Sequence, residues 1–261
     1  MSTPDVAAAY DSIAADYDRE VAGDLWMRRR LWQSYLRVFR KGQHVLDLSC
    51  GTGADAVFLA GEHVRVTGID LSPAMIDRFR ANARSAGVEQ SVFASVLDVA
   101  NLTELPSATF DGAISAFAGL NTVADLSTVA GELSRILRPR STFVVHLLNR
   151  FSLWEWLGLL AEGRWTEARR LGSQDDRTFV IGGRSIQHTL YGPSDAYERF
   201  FTTHFHLRRA YGLGILRPPH TVSRIPDRVV RGLEQLERLV GDWYPFVHWG
   251  RFFVLELERR E

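Results

Sequence analysis

The stretch Val45-Leu-Asp-Leu-Ser-Cys-Gly-Thr-Gly53 puts an acid inside a short apolar run and two glycines in the turn that follows. Glycine tolerates positive φ and admits close approach where a Cβ would clash, so Gly51 and Gly53 suit a loop wrapped around a ligand. Two more apolar runs end in acids, Val64–Ile69 at Asp70 and Ser91–Leu97 at Asp98. One acid at a strand end means little, because strand ends and helix N-caps favour Asp. Three at successive strand ends, one about twenty residues beyond the glycine-loop strand, are more specific. Asp70 can accept hydrogen bonds from two ribose hydroxyls, and Asp98 can accept one from an adenine amino group.

Those residues need a frame. Asp5–Tyr17 and Asp24–Phe39 carry apolar residues at helical spacing, and Tyr10 and Tyr17 fall seven apart on one helix face. Apolar runs at Val45–Leu48, Val64–Ile69, Ser91–Leu97, Phe110–Phe117 and Thr142–Leu148 read as strands. Helical stretches at Ala54–Ala60, Pro73–Ala86 and Val123–Leu137 separate them, with Ser72 as N-cap and Gly87 as C-cap of the second. Alternating strands and helices imply a doubly wound α/β fold with a mostly parallel sheet. In such sheets ligands lie beyond the carboxyl ends of the strands, where the acids are.

The pattern breaks after Leu148. Phe151–Leu171 is aromatic-rich and helical in character, with Trp154, Trp156 and Trp165. Arg177–Ile181 and Arg184–Tyr191 flank Gly182-Gly183 as a hairpin. A strand near Phe205–Tyr211, a helix near Pro226–Val240 and a strand at Arg251–Glu258 complete the chain. The expected division is a core of residues 1–149 and 201–261 and an inserted cap of residues 150–200 after the fifth strand.

Composition narrows the function. Thirty-one basic and 31 acidic side chains give zero formal net charge, so no global field attracts nucleic acid or an anionic membrane. Arg28–Arg30 with Arg37, Arg40 and Lys41 reads as the solvated face of an amphipathic helix rather than a basic site. Lys41 is the only lysine. It has no P-loop around it, which argues against Schiff-base and P-loop chemistry, and the arginine bias hints at a GC-rich bacterial genome. Cys50 stands alone, leaving no cysteine-based metal site or internal disulfide. His204 and His206 alternate along a strand and point to opposite faces, so no metal is expected. No apolar run approaches the length of a membrane span, and no leader-like segment opens the chain, so the cytoplasm is expected.

Motif I of the class I S-adenosylmethionine (SAM)-dependent methyltransferases resembles the Val45–Gly53 segment. Thr67-Gly-Ile-Asp-Leu-Ser-Pro-Ala-Met-Ile76 is similar to the family's ribose-binding stretch, and Leu97-Asp98-Val99 to its adenine-contacting segment. Phe110–Phe117 resembles its fourth strand, and Leu133–Pro139 the helix end before its fifth. The family commonly has glycine where this chain has Ser49. The resemblance covers residues 5 to 150 and more weakly the last strand pair. It implies a seven-stranded sheet of order 3-2-1-4-5-7-6, with SAM bound by Tyr10, Tyr17, Asp47, Ser49, Gly51, Gly53, Asp70, Leu71, Met75, Asp98, Val99, Ser115 and Ala116. Asp47 is expected near the cationic methionyl part, and Tyr17 as a cover over the cofactor.

Methyl transfer needs an aligned acceptor and exclusion of water; a hydroxyl acceptor also needs a base. Tyr17 and His146 are the catalytic candidates, although His146 within a strand also suits a hydrogen-bonded core role. Phe117, Asn121, Asn149, Trp154, His188 and Tyr191 are the acceptor-binding candidates. The expected partner is a small-molecule acceptor; the competing reading of the aromatic insertion is a homodimer interface. The competing functions are an RNA or protein methyltransferase, a SAM-binding protein without catalysis, and a nicotinamide enzyme matching the loose Gly51-Thr-Gly-Ala-Asp-Ala56 fingerprint.

Overall fold

The structure, a computed structural model, describes residues 3–173, 175–219, 222 and 225–261. The chain opens with α1 (Thr3–Ile13), the one-turn α2 (Tyr17–Glu20) and α3 (Leu25–Val38). There follow β1 (His44–Leu48), α4 (Ala54–Gly61), β2 (Arg65–Asp70), α5 (Pro73–Ser85), β3 (Val92–Val96) and β4 (Phe110–Ser115). Next come α6 (Leu126–Ile136), β5 (Leu137–Leu148), α7 (Leu153–Ala161), α8 (Trp165–Arg170), β6 (Asp176–Ile181) and β7 (Arg184–Thr189). Last are α9 (Pro193–Ala196), β8 (Phe205–Leu213), α10 (Asp227–Val240) and β9 (Phe252–Arg259).

Seven strands form one sheet in the order β3-β2-β1-β4-β5-β9-β8, and β6 with β7 forms a separate hairpin. Counting only the main sheet, this is 3-2-1-4-5-7-6. β1 through β5 pair in parallel, while β9 runs antiparallel to both β5 and β8. Because both faces are covered, adjacent strand residues bury into different layers. Leu46 joins the core beneath α6, with Val129, Leu133 and Ile136, whereas Val45 joins the core beneath α3, with Met27, Leu31 and Tyr35. The sheet therefore lies between two cores, and the carboxyl ends of β1 to β4 face a crevice.

Several boundaries differ from the sequence reading. The first helix stops at Ile13 and Tyr17 starts α2, so the two tyrosines are on different helices. Tertiary bonds bend the chain there: Asp18 accepts from Thr52 Oγ1 at 2.5 Å and Asn82 Nδ2 at 3.1 Å. α6 begins at Leu126, because the Asp125 carboxylate caps the Ser127 N–H at 2.9 Å. β5 begins directly after α6 and contains Pro139. The β4–β5 register jumps from Phe110↔Leu137 to Gly112↔Thr142, so the proline occupies an irregular stretch of the ladder. The Phe151–Leu171 segment splits at Gly163, whose φ is +73°. The basic face expected on α3 is not solvated at Arg28, which is buried and ion-paired with Asp55.

Candidate active site

The loop after β1 is shaped by left-handed backbone at Ser49 (φ +55°), Gly51 (+53°) and Gly53 (+81°). A Cβ on Gly53 would lie 2.3 Å from the Phe79 ring of α5, so this glycine also lets the loop seat against the helix. Ser49 carries a side chain in a conformation that suits glycine. Its accommodation is visible across the crevice, where a Cβ on Gly119 would come 2.4 Å from Ser49 Cβ. The glycine expected at one position has its counterpart at the other.

Asp70 ties this loop to β2. Its Oδ2 accepts the Gly51 N–H at 2.9 Å and its Oδ1 the Ser72 N–H at 2.9 Å. Burial pushes its carboxyl up, and those backbone N–H groups pull it partly back. A carboxylate has about four lone-pair sites, so capacity remains for hydroxyl donors. Asp98 accepts the Ala100 N–H at 2.9 Å and turns the chain after β3.

These residues face a cavity of about 410 Å³. Ser49, Gly51, Asp70, Leu71, Met75, Asp98, Val99, Ala116 and Phe117 all contribute to its wall. α1 closes it with Tyr10, Val6 and Ala7, and Tyr17 lies against Tyr10 with ring centroids 6.5 Å apart, edge to face. Two acids beside the tyrosines hold this cover in place. Asp11 accepts from Ser72 Oγ at 2.5 Å and from the Ala74 N–H at 3.0 Å, while Asp18 reaches the glycine loop and α5. Sequence reasoning noted the tyrosines and missed the acids, although the Asp11, Asp16 and Asp18 spacing around them was a signal. Burial raises both phenols, so each stays protonated and acts as a donor near neutral pH.

Asp47, Gly53 and Ser115 stand behind the wall. Asp47 is buried, with Oδ2 unpartnered among the described residues. Burial, then the neighbouring Asp55, pushes its carboxyl well above the ordinary range. Arg28 is committed to Asp55, which also accepts from Trp32 Nε1 at 2.8 Å, and its guanidinium lies 4.2 Å from the Phe117 ring centre.

His146 also lies outside the wall. It is fully buried, its Nδ1 accepts the Phe117 N–H at 2.9 Å, and burial lowers its pKa to about 3. The ring is neutral at working pH, and its acceptor nitrogen is already used. Its own carbonyl takes the Ala118 N–H at 3.3 Å. One residue thus holds two successive left-handed residues, Phe117 (φ +50°) and Ala118 (φ +63°), a costly backbone. The expectation of a base gives way to a clamp on the floor of the cavity.

The other side of the cavity comes from the hairpin, through residues that the sequence did not single out. Asp176, Gln187 and Thr189 face the cavity. By strand alternation their neighbours face away: His188 buries against Phe179 with centroids 4.9 Å apart, and beyond the strand Tyr191 packs on Phe200 at 5.3 Å. Asn121 is a brace, donating to the Thr189 carbonyl at 2.6 Å and accepting the Leu148 N–H at 3.0 Å. Asn149 is buried and points its amide at the Val247 carbonyl, 3.5 Å away. Trp154 does not reach the wall, and its buried Nε1 has no partner among the described residues. Of the acceptor candidates only Phe117 lines the cavity.

The arrangement has a clear class. A doubly wound sheet presents a glycine loop and two strand-end carboxylates to a crevice large enough for a nucleoside cofactor. Residues 45–140 match the family described as the methyltransferase domain. Over 108 residues the chain is 37% identical to the O-methyltransferase resE of Aspergillus sclerotiorum, covering 40% of this chain and 39% of that one. It is 30% identical over 151 residues to the demethylmenaquinone methyltransferase of Symbiobacterium thermophilum, covering 53% and 57%. The matched part is therefore little more than half of either relative at most. A methyltransferase solved in complex with the Haloferax volcanii Trm112 activator shares the fold, with TM-score 0.61, 21% identity and 96% of each chain covered. Residues 45–140 thus resemble a methyltransferase domain, a resemblance that implies S-adenosylmethionine as the cofactor.

The wall fits that cofactor. Among the described residues it holds three carboxylates, Asp70, Asp98 and Asp176, and no basic side chain. Such a wall favours a cation.

Proposed function

We propose that this protein transfers a methyl group from SAM to a small organic acceptor, with residues 150–200 serving as the cap that selects it. The single observation that carries this reading is the cavity wall with the strand-end carboxylates Asp70 and Asp98 and, among the described residues, no basic group. A sulfonium cation is stabilised by such a field. The pyrophosphate of a nicotinamide cofactor, or the phosphates of RNA, would meet like charge with no counter-ion. That weighs against the nicotinamide and nucleic-acid alternatives.

When bound, SAM supplies an electrophilic methyl group. The chain's part is placement. Asp70 and Asp98 orient the nucleoside end, and the Gly51 backbone admits close approach. Tyr10 and Tyr17 close over the site, exclude water and donate hydrogen bonds. No histidine lines the cavity among the described residues. Rate enhancement then rests on alignment and desolvation rather than on an imidazole base.

Calorimetry tests the cofactor half. SAM should bind and NAD should not, and Asp70→Ala should weaken SAM binding by about 1.5–3 kcal/mol, the range for hydrogen bonds to a charged group. Tight NAD binding without response to SAM would overturn the reading. Replacing residues 152–190 with a short Gly/Ser loop should hold SAM affinity within about tenfold and abolish turnover. A monomer that still methylates its acceptor would make the insertion an interface instead. The same reading includes a bacterial source, a cytoplasmic location and a homodimer. The lysine-poor, arginine-rich composition supports the first, no described helix is long and apolar enough to cross a membrane, and light scattering tests the last.

A further inference from the structure

We infer that Asp176, on the hairpin at the mouth of the cavity, reads the methyl acceptor, and that the acceptor is a neutral or cationic molecule presenting an O–H or N–H donor. This rests on the methyl-transfer reading above. Of the three carboxylates on the wall, Asp70 and Asp98 already accept backbone N–H bonds at the ends of β2 and β3. Asp176 has no side-chain partner among the described residues and is exposed, as is Gln187, whereas Asp70 and Asp98 are half-buried. The deeper acids belong with the cofactor. The mouth is left for what enters after it.

The hairpin register makes Asp176 part of a polar shelf. Asp176 pairs directly with Thr189, and Gln187 is two residues along the same face of β7. A carboxylate, an amide and a hydroxyl thus project into one end of the cavity. The shelf is held firmly: Asn121 fixes the Thr189 carbonyl, and a Cβ on Gly182 at the turn would come within 2.7 Å of the Ala9 carbonyl of α1. A carboxylate in this position accepts hydrogen bonds and attracts positive charge.

Anionic acceptors find no counter-charge here. Of the nearby guanidinium groups, Arg177 pairs with Glu155 at 2.8 Å, Arg150 with Asp175 at 2.8 Å and Asp195 at 2.9 Å, and Arg184 with Asp5 at 3.9 Å, while Arg199 lies over the Phe200 ring at 5.0 Å; none of them lines the cavity. A carboxylate- or phosphate-bearing acceptor would meet Asp176 with no cation on the wall, and the repulsion grows as water is excluded. An alcohol, phenol or amine would instead give its donor hydrogen to Asp176 and turn its lone pair toward the methyl group. The O–CH3 or N–CH3 bond forms as the S–CH3 bond breaks, the sulfur of S-adenosylhomocysteine keeps that electron pair, and the proton passes through Asp176 to solvent.

The test incubates the full chain and SAM carrying a trideuterated methyl group with a small-molecule extract of the source cells. Labelled products are read by mass spectrometry, and SAM affinity is measured separately by calorimetry. Labelled ethers or methylamines of neutral or cationic compounds are expected. Asp176→Asn should cut labelling at limiting acceptor about tenfold or more while SAM affinity stays within about threefold. Asp176→Lys should shift what labelling remains toward anionic compounds. Labelled methyl esters or other products of anionic acceptors from the unaltered protein would overturn the acceptor class. A fall in SAM affinity of tenfold or more in Asp176→Asn would return this residue to the cofactor site. No labelled product at all, with SAM bound, would defeat the transfer reading itself and this inference with it.

Discussion

The two walls of the cavity are built differently. The cofactor wall comes from loops between adjacent parallel strands, and contacts close to the backbone hold it: Gly53, just behind it, seats the loop on Phe79, Ser49 packs against Gly119, and Asp70 accepts two N–H groups. The hairpin wall is a separate two-stranded sheet, set on the core by Asn121 and by the contact of its turn with α1. The first wall tolerates little change because its shape is set by chain connectivity. The second presents side chains from a ribbon and can exchange them without disturbing the sheet. Such a division suits a fixed cofactor and a variable acceptor.

The sharpest way to break this comparison is Gly53→Ala. It combines a left-handed residue with a clash on the Phe79 ring, so a loss of about 2–5 kcal/mol in stability is expected, measured by urea unfolding. A variant as stable as the parent would show that the cofactor wall is not rigid.

The His146 clamp comes next in size. His146→Phe keeps an aromatic ring between Phe117 and Phe252 and strands the Phe117 N–H, costing about 1–3 kcal/mol and weakening SAM binding. His146→Asn places an amide oxygen near the position of Nδ1 and should recover much of both. Equal losses in the two variants would refute the clamp. Their pH behaviour sharpens the point. The ring's pKa is 6.5 when solvated and about 3 in the fold, so the unfolded chain binds a proton that the native state refuses. Its contribution is intact above pH 6.5 and is lost as pH falls toward 3, at up to about 1.4 kcal/mol per pH unit. Compared with His146→Asn, the parent should lose stability faster on acidification through that window.

The smallest effect is expected at Ser49. Ser49→Gly alone should change stability by under about 1 kcal/mol, since relief of the left-handed residue is offset by a freer unfolded chain. Gly119→Ala should cost about 1–3 kcal/mol through the clash, and the double variant should regain much of it. Additive losses would separate the two positions.

Legibility followed the same division. Gly51, Asp70 and Asp98 could be placed at strand ends because a parallel strand, its turn and the next helix are contiguous in sequence, whereas the strand order came only through the family resemblance. The acids that pin the N-terminal cover were less legible, since Asp11 and Asp18 find partners 34 to 64 residues away. His188 and Tyr191 carry groups suited to an acceptor, but in the β6–β7 hairpin Asp176, Gln187 and Thr189 face inward instead.

By itself the sequence determined the alternation of elements, the glycine loop and the strand-end acids, because these are set by local periodicity and by the backbone freedom of particular residues. Only the tertiary structure decided which way each side chain faces. It made His146 a buried acceptor for Phe117, paired Arg28 with Asp55, and set Asp176 at the mouth. The physical reason is that burial and partnership belong to pairs of residues far apart in the chain. A one-residue change of strand register is enough to exchange the face that meets the cavity for the face that meets the core.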